Sequence, residues 1–268
     1  MSYISTNHRG GIGNVLFKLA ASISAAIDNK VDYLFSNEFI RDKDKAMVTF
    51  GHADYRVYYS NILRNVKFID KLPTPYVVYA EPNFHYDSIP YMEGTNLLLD
   101  GGFQSEKYFI NNKDFIIDLF KISNHVEFQI KEAVPNINDF VAIHVRRGDY
   151  LQLPNHHPVQ TEEYYRKAVE RVGIDNKFLI FSDDLEGCKD VFDFIPTKYF
   201  YSTGVDWSDL YMMSLCKDNI IANSSFSWWA AYLNANPNKK VIAPNKWFGS
   251  AYDHLNTKDL IPKSWIKL

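Results

Sequence analysis

Apolar positions along the chain gather into runs of two kinds. Over residues 15–27 they crowd together with alanines in a stretch too long for a strand, which predicts a buried helix. From Phe140 to Val145 the run is short, continuous and partly β-branched, as in a strand covered on both faces. Residues 3–5, 76–79, 96–99, 177–181, 219–222 and 240–243 predict further strands, and residues 125–134, 162–172 and 208–217 predict helices. Thr161 caps the second of these helices, with Glu162 and Glu163 in its first turn and Tyr165, Ala168, Val169 and Val172 on one face. The stretch from about 31 to 110 is less regular, with short strands and helices between proline-containing turns. Strands alternating with helices predict an α/β fold. The breaker cluster Pro135-Asn136-Ile137-Asn138-Asp139 places a domain boundary there, giving domains 1–137 and 138–268.

The polar residues that end these runs carry the candidate chemistry. The strand from Phe140 empties into Arg146-Arg147-Gly148-Asp149, and alternation along a strand puts His144 and Arg146 on one side. Two arginines at a carboxyl strand end point to an anionic ligand, because the guanidinium fork holds phosphate oxygens bidentately. The competing reading is a structural network in which Arg146 and Arg147 pair with Asp149 and other carboxylates. His8-Arg9-Gly10-Gly11-Ile12-Gly13-Asn14 joins the first strand to the first helix. It suits close backbone approach to an anion or a simple tight turn, and lacks both the dinucleotide fingerprint and a Gly-Lys phosphate loop. Gly101-Gly102-Phe103-Gln104 follows another strand in the same manner. Asp183 and Asp184 end a strand as metal ligands or as cap and turn acids. Ser224 and Ser225 sit where a strand becomes a helix and offer hydroxyls and first-turn N–H groups to an anion. Behind them Phe226, Trp229, Ala230 and Leu233 share a core-facing stripe.

A net charge of −3 argues against broad binding of nucleic acid or an anionic membrane. Cys188 and Cys216 form neither a metal-ligand spacing nor a disulfide framework, which suggests a reducing compartment. No apolar run reaches membrane-spanning length and the first residues lack a signal-peptide core, so a cytoplasmic protein is expected, with peripheral membrane contact left open.

Five segments in order resemble the α-1,2-fucosyltransferases of the bacterial and animal type, which share motifs with α-1,6- and protein O-fucosyltransferases. They are Gly10-Gly11-Ile12-Gly13-Asn14, Phe103-Gln104-Ser105-Glu106-Lys107-Tyr108-Phe109, His144-Val145-Arg146-Arg147-Gly148-Asp149-Tyr150, Phe181-Ser182-Asp183-Asp184 and Asn223-Ser224-Ser225-Phe226-Ser227-Trp228-Trp229. The resemblance implies the glycosyltransferase B architecture, two Rossmann-like domains facing a cleft, with GDP-fucose held mainly by the second. It implies inverting transfer of L-fucose to a galactoside hydroxyl, O2 of a terminal β-galactose on an oligosaccharide or glycolipid, with no cofactor and no divalent metal. Arg146 would grip the diphosphate with help from His144. Asp183 or Asp184 would meet the guanine or ribose, and Ser224, Ser225 and Phe226 the diphosphate and nucleoside. Gly11, Gly13 and Asn14 would approach the diphosphate from the first domain. For a base, the loop between Tyr150 and Pro158 holds no acid, which leaves Asp149, His156 or His157, unless a dissociative transition state needs none.

This chain departs from the family pattern at Val15 and Lys18, where glutamines are usual, and at Asp218, where histidine is usual. These positions bear on the acceptor and on domain closure. The alternatives are a catalytically silent nucleotide- or carbohydrate-binding protein of the same fold, or a transferase with another donor or linkage.

Overall fold

The computed structural model describes residues 2–40 and 56–268, so residues 41–55 of the irregular stretch lie outside the described residues. Two compact units divide the chain. Met1–Lys121 and Leu255–Pro262 form the first, Ile122–His254 and Lys263–Leu268 the second. The division falls after Lys121, ahead of the 137/138 boundary expected from the breaker cluster, and a late segment returns to the first unit. The fold is α/β with parallel sheets.

In the second unit, strands β7 (Phe140–Val145), β8 (Lys177–Ser182), β9 (Lys198–Phe200), β10 (Asp218–Ile220), β11 (Val241–Ala243) and β12 (Ile266–Lys267) make one sheet. Their order is β12-β11-β10-β7-β8-β9, and every adjacent pair is parallel. Each parallel pairing needs a crossover, and the helices Glu162–Val172 and Ser225–Leu233 supply those from β7 to β8 and from β10 to β11. The winding runs outward from β7 through β8 to β9, then restarts on the other side of β7 with β10. Carboxyl ends of strands at such a reversal leave a crevice for ligands.

Strand β7 is apolar but for His144 because it is covered on both faces. Val141, Ile143 and Val145 pack with Tyr164, Tyr165, Ala168, Val169 and Val172 of the helix Glu162–Val172. The alternate residue His144 turns toward Phe226 of the helix Ser225–Leu233, their ring centroids 5.4 Å apart. The Thr161 cap forms as expected, its hydroxyl accepting the Tyr164 N–H at 3.3 Å. Asp218 opens β10 at its amino end, buried, and accepts the Lys240 N–H at 2.6 Å. This departure from the family pattern therefore serves strand pairing, at the opposite end of β10 from Asn223 and Ser224.

In the first unit, β1 (Tyr3–Thr6), β2 (Asp32–Tyr33), β5 (Val77–Ala80) and β6 (Leu97–Asp100) form a parallel sheet in the order β2-β1-β6-β5. A separate parallel pair joins β3 (Phe35–Ser36) to β4 (Phe68–Ile69). The predicted first helix is α1 (Ile12–Asp28), buried along most of its length. Lys18 donates to the carbonyls of Asn7 (3.1 Å) and Arg9 (3.0 Å), so the lysine ties the glycine loop to the helix that follows it.

After β6 the chain turns through Gly101 and Gly102 into Phe103, which holds φ at +49°. The Glu81 carboxylate secures this turn by accepting the N–H groups of Gly102 (2.7 Å) and Phe103 (2.9 Å). A Cβ on Gly101 would lie 2.4 Å from Glu81 Cβ, which is why glycine is needed there. The late segment Leu255–Pro262 is fastened through Asp259. Its carboxylate accepts from Lys107 Nζ (2.6 Å) and the Tyr86 N–H (3.2 Å), and its carbonyl accepts from Ser105 Oγ (2.7 Å).

Candidate active site

The sheet of the second unit gathers most of the predicted residues beyond the carboxyl ends of β7, β8 and β10. Arg146, just past β7, lies between two acids, with Nη2 2.7 Å from Asp149 Oδ1 and Nη1 2.9 Å from Asp183 Oδ2. Arg147 directs Nε to Asp184 Oδ2 at 2.9 Å, and its backbone N–H donates to Asp183 Oδ1 at 2.9 Å. The Arg147 pairing holds the Asp184 carboxyl below its usual range. A Cβ on Gly148 would sit 2.4 Å from Asp183 Oδ2, so the glycine lets this acid come close to the backbone.

The network reading of the sequence thus describes these contacts, with two guanidinium groups set against three carboxylates. An incoming anion must compete with Asp149 and Asp183 for Arg146. The two acids beyond β8 are held on the arginines, and Asp184 also caps the Gly187 N–H at 3.0 Å. Among the described residues no group of three or more His, Cys, Asp or Glu side chains is arranged to hold a metal ion.

The start of the helix Ser225–Leu233 meets β7 through Phe226, packed on His144. Ser224 is its N-cap and makes no side-chain cap bond, and the first turn carries no acid. Its N–H groups and the positive end of its dipole suit an anion. His144 is buried here against Phe226, and its Nδ1 has no hydrogen-bond partner. Burial, then the Arg146 charge, pushes its pKa down to about 3, so the ring is a neutral donor or acceptor.

Sequence reasoning passed over the parts that hold these loops together. Tyr150 places its ring 5.6 Å from the Arg146 Cζ and donates its hydroxyl to the Asn223 carbonyl at 3.0 Å. Asn223 donates its side-chain amide to the carbonyls of Pro158 (3.0 Å) and Trp247 (2.9 Å). One buried asparagine therefore joins the segments after β7, β10 and β11. The only local hint was an asparagine at a strand end, a residue type that favours bonds to nearby backbone.

Gly11, Gly13 and Asn14 belong to the first unit. Gly11 is the N-cap of α1, Gly13 is buried in the helix, and Asn14 accepts from Gln104 Nε2 at 3.0 Å. The glycine loop after β1 and the turn after β6 therefore meet on neighbouring strands.

The profile of glycosyl transferase family 11 matches residues 48–268. The chain belongs to this family. Its Escherichia coli relatives include the O-antigen biosynthesis glycosyltransferase WbnK, 35% identical over 62% of this chain and 59% of WbnK, so the match spans about three-fifths of that protein. An Escherichia coli α-1,2-colitosyltransferase is 28% identical over 100% of this chain and 99% of its own. Human galactoside α-(1,2)-fucosyltransferase 1 is 31% identical over 35% of this chain and 28% of its own. Among solved structures, the fucosyltransferase NodZ from Bradyrhizobium superposes with a TM-score of 0.55 at 13% identity, over 86% of this chain and 91% of NodZ. NodZ α-1,6-fucosyltransferase co-crystallized with GDP gives a TM-score of 0.54, also at 13% identity and over 86% and 92% of the two chains. At that identity the likeness carries the fold alone. Among the described residues of the family 11 chain, no helix is long and apolar enough to cross a membrane.

Buried histidines in both units make an acid-lability prediction. His8, enclosed by Phe35, Phe39 and Phe68, has its pKa lowered to about 4, mainly by burial, and that of His144 falls to about 3. Unfolded imidazole titrates near 6.5, so below that pH the unfolded chain binds protons that the folded chain refuses. Their contribution is complete above pH 6.5 and is lost as the pH falls toward about 4 and 3. Each histidine adds a slope of up to about 1.4 kcal/mol per pH unit in that window. Urea midpoints should fall steadily from pH 6.5 to 4.5, and less so in His8→Phe. A midpoint that stays level would refute the assignment.

Proposed function

We propose that this glycosyltransferase moves L-fucose from GDP-fucose, with inversion, to O2 of a terminal β-galactose on an oligosaccharide or glycolipid. The observation that carries the reading is Arg146 at the carboxyl end of β7, where the strand winding reverses, on the strand whose His144 packs against Phe226 at the amino end of the helix Ser225–Leu233. Cleavage of the C1–O bond leaves added negative charge on GDP, and stabilising it is the main task of the protein. On this reading Arg146 keeps Asp149 on Nη2 and exchanges Asp183 for the diphosphate, while Ser224, Ser225 and Phe226 present first-turn N–H groups and an apolar edge. His144 fixes one phosphate oxygen, and Asp183, released from Arg146, or Asp184, on Arg147, meets ribose or guanine. Gly11, Gly13 and Asn14 serve the diphosphate from the first unit. The two units are the two Rossmann-like domains of a glycosyltransferase B enzyme, and the second holds the donor.

The reaction needs no divalent metal, since the guanidinium and the helix end provide the charge. Free, buried Cys188 and Cys216 fit a cytoplasmic enzyme. The donor names borne by the relatives, fucosyl and colitosyl, set the panel for the assay. GDP release should be followed from GDP-fucose, GDP-colitose and GDP-mannose, with lactose, N-acetyllactosamine and lacto-N-biose as acceptors and EDTA present. Acceptor-dependent release from GDP-fucose with an α-1,2 product by NMR is the expected result. Release from GDP-colitose alone moves the donor assignment. GDP binding with no release from any donor selects the silent binder instead.

A further inference from the structure

Transfer requires the acceptor hydroxyl to lose its proton, and the geometry separates the three groups that the sequence offers for it. Asp149 is held by Arg146 at 2.7 Å, so using it as a base would take a carboxylate from the guanidinium at the moment charge builds there. His156 turns its ring edge-on to Tyr252, 5.1 Å between centroids, and its carbonyl accepts the Gly249 N–H at 2.9 Å. It fastens its loop to the segment after β11. His157 lies nearly flat on Tyr150, with centroids 4.9 Å apart and planes 20° from parallel. Phe248 and Tyr252 close on the same ring at 5.7 and 5.8 Å. The backbone on either side is also fixed, by the His157 N–H to Leu153 O at 2.8 Å and by Pro158 O on the Asn223 amide. Of the two ring nitrogens only Nδ1 is shut in without a partner, which leaves Nε2 for a substrate proton.

We infer that His157 takes the proton of the acceptor hydroxyl and that Tyr150 is the positioning residue beneath its ring. The inference rests on the transferase reading above. In the step, the acceptor O–H bond breaks and its proton passes to the imidazole as the acceptor oxygen bonds to C1 of the donor sugar. The C1–O bond to the diphosphate breaks, its electron pair leaves with GDP, and the imidazolium returns its proton to solvent afterwards. Burial, as the largest influence, keeps the ring neutral before reaction. Of the charged and titratable groups facing it, Asp149 favours the imidazolium while His156 and Arg146 oppose it, and the Tyr150 and Tyr252 rings pack against it.

His157→Gln tests this, with His156→Gln as the control. In His157→Gln, kcat for transfer should fall by about 100-fold or more while the acceptor KM and the GDP dissociation constant stay within about twofold. The wild-type rate should decline below the ordinary imidazole range, and that acid limb should vanish in His157→Gln. Added imidazole should restore part of the rate, and His156→Gln should keep the wild-type profile. Transfer within about threefold of wild type with the acid limb intact overturns the inference. Joint loss of GDP binding and transfer also overturns it, by making His157 a structural part of the loop. Wild-type protein that binds GDP yet transfers from no donor removes the transferase reading first, and this inference with it.

Discussion

Replacing Arg146 by alanine should lower the transfer rate by about 100- to 1,000-fold, the usual cost of removing a preorganised donor aimed at developing charge. Two effects act together. On the proposed reading the diphosphate loses its cation, and Asp149 and Asp183, both now held against the guanidinium at 2.7 and 2.9 Å, are left as unneutralised neighbours. GDP should therefore bind more weakly as well. Arg146→Lys should recover only part of the loss, since an ammonium keeps the charge but cannot bridge two acids in the plane of a fork. Initial rates and GDP titration calorimetry on both variants, with unfolding curves to show that the fold is kept, check the expectation. An alanine variant turning over near the wild-type rate would take Arg146 out of the mechanism.

The largest loss of stability should come from Trp228→Ala. This indole is completely buried, stacked on Tyr232 at 4.6 Å between ring centroids and in contact with Trp229 (5.3 Å) and Trp265 (5.2 Å). Deleting a buried tryptophan costs about 3–5 kcal/mol, the transfer free energy plus that of the cavity left behind. A loss of that size corresponds to a fall of roughly 10 °C or more in the melting temperature of a domain this large. Calorimetry or thermal circular dichroism measures it. A shift of only a degree or two would mean that the aromatic cluster collapses into the space.

Much of this arrangement was legible in the sequence wherever a local pattern decides the outcome. The apolar run of β7, the cap at Thr161, the long buried α1 and the serines at the strand-to-helix junction all follow from spacing within a few residues. Trp229 is core, as its place on the stripe with Ala230 and Leu233 suggested, and Trp228, off that stripe, is buried as well. Asp149 was legible as a partner of Arg146, but Asp183 and Asp184 were not paired with the arginines, because they lie a whole βα unit away and only the β7–β8 register brings them near. Tyr150 and Asn223 escaped for a similar reason. Their bonds run between loops whose proximity the sheet order creates. The two-residue strands β2, β3 and β4 carry no period to read. Phe103 at φ +49° runs against its own backbone preference, and only the Glu81 carboxylate, distant in sequence, explains it.

The return of Leu255–Pro262 to the first unit sets a limit on the order of assembly during synthesis. Chains leave the ribosome amino end first, and domains generally fold as they emerge. Here the early unit must wait for Asp259, which supplies the partners of Lys107, Ser105 and the Tyr86 amide, until nearly all of the second unit has been translated. Nascent chains halted before residue 255 should therefore carry a first unit that proteases open readily, and release of the last residues should close it.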